Sequence, residues 1–369
     1  MNQNDTQLAF VLGTRPEIIK MAPLIRECEQ RDQPFVLIHT GQHYSDSLDS
    51  VFFDQLELPT PDYHLGVGSA SHGEQTGTMV IQIEEVLLEV EPSVVFVQGD
   101  TNSVLASAIA GSKLDCELAH VEAGLRSFDR DMPEETNRVV ADHVSDYLFA
   151  PTEQSREYLL DEGRPEEDIY VTGNTVVDAL YQNRELAREK SDVFAELDMV
   201  NEEYFLMTAH RAENVDDEGR FRELLSGVAK AAETHGATVI YPIHPRARNQ
   251  LDEFAIDVSE RIRLTEPQEY LDFLRLEADA NLILTDSGGV QEEACVLRVP
   301  CVTLRDNTER PETLDVGANR LSGTAPESIQ EEARRMLSKP TEWANPFGDG
   351  KAAAEMLDIV AKQPQQVKQ

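Results

Sequence analysis

The sequence predicts an α/β protein built from two doubly wound parallel sheets. Three observations carry that expectation. Short apolar runs alternate with helix-like segments almost throughout the chain. The alternation stops at a charged stretch, Glu185–Glu203, and then restarts. The Gly-, His- and Arg-containing stretches fall just after the apolar runs, where open parallel sheets place their ligands.

The first series of expected strands is Leu8–Leu12, Phe35–His39, Val94–Gln98, Leu118–Val121, Tyr147–Phe149 and Ile169–Val171. Helical patterns such as Met79–Leu88 and Glu134–Ser145 lie between them. The second series is Phe205–Thr208, Thr238–Tyr241, Ile262–Leu264, Leu282–Thr285 and Cys301–Thr303. Short, continuously apolar strands separated by helices imply βαβ units with both sheet faces covered. The break between domains is expected near residues 180–200. One further helix, Ala352–Lys362, is expected after Pro346, followed by a disordered QPQQVKQ.

Composition narrows the function. The chain has 369 residues with a net charge of -37, from 69 Asp plus Glu against 32 Lys plus Arg, and only 8 of those cations are Lys. The acids are spread over the whole chain. This pattern suits a protein adapted to molar salt, where the Debye length is only about 3 Å. It argues against nucleic acid or an anionic membrane as partner. No apolar run is long enough to span a membrane. The start, MNQNDTQLAF, lacks the basic and apolar regions of a signal peptide, so a cytoplasmic location is expected. The four cysteines show no metal-ligand spacing, and Cys28, Cys116 and Cys301 read as packed thiols.

The scarce cations gather at strand ends. GTRPEIIK follows the first strand, with Thr14 and Glu17 spaced as a capping box and Pro16 in the first helical turn. Proline disfavours αR at Arg15, which leaves Arg15 as an alternative cap. Alone, this stretch fits a plain turn with a surface arginine equally well. ILTDSGGVQEEACVL points further. Gly288 and Gly289 allow backbone N–H groups to approach an anion at a helix N-terminus, which suits a diphosphate. Glu292 or Glu293, one turn later, is placed to accept from ribose hydroxyls; complementing the helix dipole is the bland alternative. TAHRAEN and IHPRAR put His210, Arg211, His244 and Arg246 at two more strand ends, and LRDNTERPE adds Arg305 and Arg310. Arginine suits phosphate because its planar fork donates two parallel bonds.

QGDTNS and HVEAGLRSFDRDMPEETNR supply acids: Asp100, Glu122, Asp131, Glu134 and Glu135. In so acidic a chain most are solvated charges, but Asp100 and Glu122 directly follow apolar strands and have glycines nearby. No G-x-G-x-x-G follows a strand, which argues against a bound dinucleotide. P-loop, G-x-S-x-G and H-E-x-x-H motifs are also missing.

Taken together, GTRPEIIKMAPLI, TGQH, QGDTNS, HVEAGLRS, PEETNR, TGNTVVDAL, TAHRAEN, LILTDSGGVQEEA and RDNTERPE resemble the non-hydrolysing UDP-N-acetylglucosamine 2-epimerases. The resemblance runs from Leu8 to Ala361, and the spacing is most similar to archaeal members. It implies the glycosyltransferase-B type of fold, with two Rossmann-like domains facing a central cleft. Their implied extents are residues 1–180 plus 346–369, the last helix crossing back, and residues 181–345. It implies interconversion of UDP-N-acetylglucosamine and UDP-N-acetylmannosamine in a homodimer, for surface glycan synthesis, with neither cofactor nor metal. Position by position, it implies that Arg15, His210, Ser287, Gly288, Gly289, Glu293 and Arg310 hold UDP, with Lys20 and His244 beside that site and Phe273 near the uracil. It implies catalytic roles for Asp100, Glu122, Glu134 and His210. Gln42 and His43 match positions that bind a second, activating UDP-sugar in bacterial members, although the glutamine that accompanies them there has no clear counterpart in GVGSASHGEQ.

Overall fold

The structure is a computed structural model, and it describes residues 7–42, 52–199 and 202–362. His43 and the closing QPQQVKQ lie outside the described residues. The chain divides into two compact units, Met1–Ala179 with Phe347–Gln369, and Leu180–Pro346.

The first unit is a seven-stranded, wholly parallel sheet. Its strands are β1 (Leu8–Leu12), β2 (Phe35–His39), β3 (Tyr63–His64), β4 (Val94–Gln98), β5 (Glu117–Val121), β6 (Tyr147–Ala150) and β7 (Ile169–Val171). They are ordered β3-β2-β1-β4-β5-β6-β7. β1 and β4 are buried along their whole length, as apolar strands covered on both faces must be. Phe10, Phe96 and Phe149, from β1, β4 and β6, stack across one face with centroids 5.1 and 6.3 Å apart. Each fully buried ring contributes on the order of 2–3 kcal/mol relative to exposure.

The second unit has six parallel strands: β8 (Tyr204–Thr208), β9 (Thr238–Pro242), β10 (Ile262–Thr265), β11 (Leu282–Thr285), β12 (Cys301–Thr303) and β13 (Asn319–Leu321). Their order is β10-β9-β8-β11-β12-β13. Each sheet therefore starts near its centre, winds outward one way, and returns to wind the other way. The order reverses between β1 and β4 in one unit and between β8 and β11 in the other. Those two crevices are where doubly wound sheets bind ligands.

Two strands escaped the sequence reading. β3 has two residues and β13 has three, and both lie at sheet edges, where polar residues such as His64, Asn319 and Arg320 interrupt any apolar signal. The charged stretch expected to separate the domains is also not wholly irregular. The helix Thr175–Lys190 runs into it before the short helix Val193–Glu196.

The last helix, Ala352–Lys362, belongs to the first unit. The Asp178 carboxylate accepts from the backbone N–H groups of Ala352 and Ala353 at 3.3 and 3.0 Å. Arg31 donates to Asp358 at 2.6 Å and to the Ala354 carbonyl at 3.2 Å. Ahead of it, Asn174 N–H bonds the Phe347 carbonyl at 2.9 Å.

Candidate functional site

The first crevice is built on the turn after β1. Gly13 is packed so tightly that a Cβ there would meet Ser103 Oγ at 2.0 Å and Thr40 Oγ1 at 2.4 Å, so only glycine fits. Thr14 is the N-cap of the helix Arg15–Gln30, with Arg15 and Pro16 opening its first turn; the alternative of Arg15 as cap is corrected. Only half of the expected capping box forms, because the Thr14 hydroxyl does not cap the helix. Glu17 does reach back. Its carboxylate accepts from Gly13 N–H at 2.9 Å and from the Thr101 hydroxyl at 2.7 Å, which pins the β1 turn to the β4 turn. Burial pushes the Glu17 carboxyl up to about 7, against the opposing pull of those hydrogen bonds. Arg15 is exposed, with its guanidinium 5.8 Å from the centre of the Phe52 ring.

A cavity of about 750 Å³ opens at this crevice. Gly13, Thr14, Arg15, Gln42, Asp100, Asn102 and Glu134 are among its lining residues. Asp100 and Glu134, far apart in sequence, thus share one space. Asp100 pairs with Arg138, a cation the sequence reading passed over although it stands one helical turn after Glu134. Arg138 also contacts Glu135 at 3.2 Å, and Glu135 in turn accepts from Ser127 and Phe128 N–H groups at 2.9 and 3.0 Å. Burial raises the Glu135 pKa, but the bonds from Ser127, Phe128 and Arg138 more than offset it, and it lies below the ordinary value.

Glu122 sits at the end of β5 with a left-handed backbone, φ +69°. It is buried and accepts from Lys20 at 2.7 and 2.8 Å, from Asn174 at 3.0 Å, and from Gln98. Lys20 thus meets a carboxylate at the first crevice. Ion pairing explains why a chain poor in cations places one there. Gln42, also buried, accepts from the Ser103 N–H and hydroxyl at 3.1 and 2.7 Å. Its own carbonyl takes a 3.0 Å bond from Gln75, a residue of the GVGSASHGEQ stretch.

The second crevice centres on Asp286, fully buried at the end of β11. Its carboxylate accepts from His210 N–H, Arg211 N–H and the Asn214 amide at 3.0, 3.0 and 3.2 Å, and lies 3.2 Å from His210 Nδ1. Burial pushes the Asp286 pKa up, but His210 and the two backbone donors outweigh it and bring it below the ordinary value. Asp286 therefore fixes the His210 ring while leaving that side chain 45% exposed. His244 caps the helix Pro245–Glu253 and stands with its ring 6.0 Å from that of His210. Arg246 turns to Asp216, with Nε at 2.9 Å.

Ser287 is the N-cap of the helix Gly288–Leu297, its hydroxyl accepting from Val290 N–H at 3.5 Å. Gly288 and Gly289 form the first turn, whose N–H groups have no partner within a helix. Arg310 Nε lies 3.1 Å from the Glu292 carboxylate, so Glu292 orients an arginine. Glu293 is hydrogen-bonded to Glu277, whose carboxyl is held well above the ordinary range by burial and then by Glu293. Phe273 is half-buried on the helix Tyr270–Asp279. Arg305 is buried and bonds Glu309 at 2.7 Å and Glu213 at 3.1 Å, which shapes the loop leading to Arg310.

The sequence reading missed Arg138, Asn174 and Asp286 as organising groups, and also His120 and Asp142. Asn174 and Asp286 directly follow glycine or a strand end inside quoted motifs, which is the one signal that marked them. All four cysteines are buried, and burial pushes the Cys28 and Cys295 thiols up to about 12. No group of three or more His, Cys, Asp or Glu is placed to hold a metal among the described residues.

Known proteins match this chain over nearly its full length. The family profile described as UDP-N-acetylglucosamine 2-epimerase matches residues 26–361. The UDP-N-acetylglucosamine 2-epimerase of Methanocaldococcus jannaschii is 52% identical over 360 residues, covering 96% of this chain and 98% of its own. That of Methanococcus maripaludis is 51% identical over the same shares. A crystal structure of the M. jannaschii enzyme in complex with UDP-GlcNAc and UDP superposes with a TM-score of 0.81, covering 97% of this chain and all of the other, at 52% identity. The two Rossmann-like sheets are accordingly of the glycosyltransferase-B type, and the chain belongs to the UDP-N-acetylglucosamine 2-epimerase family as an enzyme of the epimerase type.

Proposed function

We propose that the enzyme interconverts UDP-N-acetylglucosamine and UDP-N-acetylmannosamine without hydrolysis, by eliminating UDP and adding it back. The substrate is inferred from relatives that carry this name at 51 and 52% identity, one of them crystallised with UDP-GlcNAc and UDP.

No carbonyl adjoins C2 of the sugar, so its hydrogen is not acidic enough for a carboxylate of ordinary pKa, about 4. Breaking the C1–O bond first sends that electron pair to UDP and leaves an oxocarbenium-like centre at C1. A base then takes the C2 proton, and its bonding pair forms the double bond of a 2-acetamidoglucal. Protonation of C2 from the opposite face, with return of UDP to C1, yields the epimer.

The observation that carries this reading is the pair Asp100 and Glu134 lining one cavity with Arg15 at the first crevice. Together with Glu122, these carboxylates are the acid–base candidates, each contributing about 10²–10⁴-fold. In the second unit the Ser287–Gly288–Gly289 turn, His210 and Arg310 form the diphosphate holder, with His244, Phe273 and Glu293 as further substrate contacts. N–H groups and cations there stabilise the leaving diphosphate. Lys20 serves Glu122. Gln42 and His43 are assigned to a second UDP-sugar, and the enzyme acts as a cytoplasmic homodimer in surface glycan synthesis.

Proton NMR of the purified enzyme with UDP-N-acetylglucosamine in D₂O and molar KCl tests it. Deuterium enters C2 of both epimers, and both remain nucleotide-linked. Free N-acetylmannosamine plus UDP as the only products would replace this reading with hydrolysis, and turnover without C2 exchange would exclude the elimination.

A further inference from the structure

We propose that His120 is a positioning residue: a doubly donating imidazolium that locks together the two turns bearing Asp100 and Glu122. This rests on the assignment of those two carboxylates to the reaction.

His120 lies on β5, fully buried, two residues before Glu122. Its Nε2 is 2.8 Å from the Gly99 carbonyl oxygen, which can only accept, so Nε2 carries a proton. Its Nδ1 is 2.7 Å from Asp142 Oδ1. Asp142 also meets Arg126 at 2.7 Å and the Gly124 N–H at 3.2 Å, so it is an ionised acceptor and Nδ1 carries a proton too. A neutral imidazole would leave either Gly99 or Asp142 without its donor, at the cost of an unsatisfied buried polar group.

The charges close on themselves. His120 and Arg126 are the cations; Asp142 and Glu162, the latter 2.6 Å from Arg126, are the anions. Glu122 is the other charge facing the ring. Burial alone would lower the His120 pKa, but Asp142 first and then the Gly99 carbonyl outweigh it, and the pKa is raised.

The two tied points stand beside the candidate acids. Gly99 precedes Asp100 and has φ +83°; Gly124 follows Glu122 by two residues and has φ +79°. Glu122 itself is held at φ +69°, a left-handed conformation unfavourable for a non-glycine residue. Through His120 and Asp142 the Gly99 turn and the Gly124 turn share one ion pair. Releasing it lets the two carboxylates drift relative to each other, and a misplacement of about 1 Å costs roughly 10²-fold in rate.

The test uses the full chain in molar KCl. Side-chain ¹⁵N–¹H NMR is expected to show both His120 nitrogens protonated at pH 7 to 8. His120→Gln and Asp142→Asn are expected to lower kcat by about 10²-fold while KM changes far less. A neutral His120 tautomer at pH 7 overturns the proposal, as do folded variants with a lower Tm but undiminished kcat. Should neither variant fold, the ¹⁵N signature of the unaltered enzyme decides. Absence of C2 exchange in the unaltered enzyme would instead strike the reaction itself, which separates the two failures.

Discussion

Glu122 takes bonds from Lys20, Asn174 and Gln98, and these donors fix its carboxylate. Replacing its charge while keeping its shape therefore isolates chemistry from packing. Glu122→Gln and Asp100→Asn are expected to fold with near-native circular dichroism and to lose at least about 10²-fold in kcat; full activity in both would remove them from the mechanism. Glu17 offers a different test, of stability. Its folded pKa, about 7, lies above the ordinary 4.5, so the proton favours the folded state. That contribution is complete below pH 4.5 and fades as pH rises through about 7. It amounts to about 3 kcal/mol at most. In Glu17→Gln the same rise in pH should cost less stability, read as a smaller fall in Tm between pH 4.5 and 7. Asp100 and Glu122 were legible in the chain because they follow strand ends, and Glu134 through the PEETNR motif. Their partners were not, since Arg138 reaches Asp100, and Lys20 and Asn174 reach Glu122, only through folding.

The helix Thr175–Lys190 contributes Asp178, whose carboxylate serves as cap for a helix more than 170 residues later in the chain. Two orphan N–H groups at the start of Ala352–Lys362 depend on it. Asp178→Ala should cost about 1 kcal/mol and loosen that helix first. Hydrogen exchange would show faster exchange in Ala352–Lys362 than in β1 or β4. The helix expected at Met79–Leu88 begins seven residues earlier, at His72, whereas the named strands of both sheets were expected with ends within a few residues. β3 and β13 were not, because two or three residues at an edge bury too little to leave an apolar pattern. The capping box at Thr14 formed only in part. The Thr14 hydroxyl does not cap, while Glu17 reaches back and also bonds Gly13 and Thr101, a residue of another strand's turn.

Over the whole chain, 69 acids against 32 basic residues leave a net charge of -37. Several ion pairs among the described residues, such as Lys230–Glu327 and Arg248–Glu266, join exposed groups, where each is worth about 0–1 kcal/mol. They do not neutralise the surplus. Self-repulsion should therefore weaken the fold when salt is withdrawn. The thermal midpoint is expected to rise steadily as KCl increases toward molar concentrations, because a Debye length near 3 Å screens the surface. A midpoint indifferent to salt would dispose of the idea. No helix among the described residues is long and apolar enough to cross a membrane.

Local chemistry decided much of this enzyme in advance. Runs of apolar residues, glycines at strand ends and a proline in a first helical turn act over a few residues, so they are written in neighbouring positions. They sufficed for two parallel sheets and for the motifs of a family. Folding alone decided which groups meet. Asp100 finds Arg138, Glu122 finds Lys20, and His120 finds Asp142 because parallel strands return their ends to one edge. Hydrogen bonds and ion pairs act over about 3 Å of space whatever the distance along the chain, and no linear pattern records them.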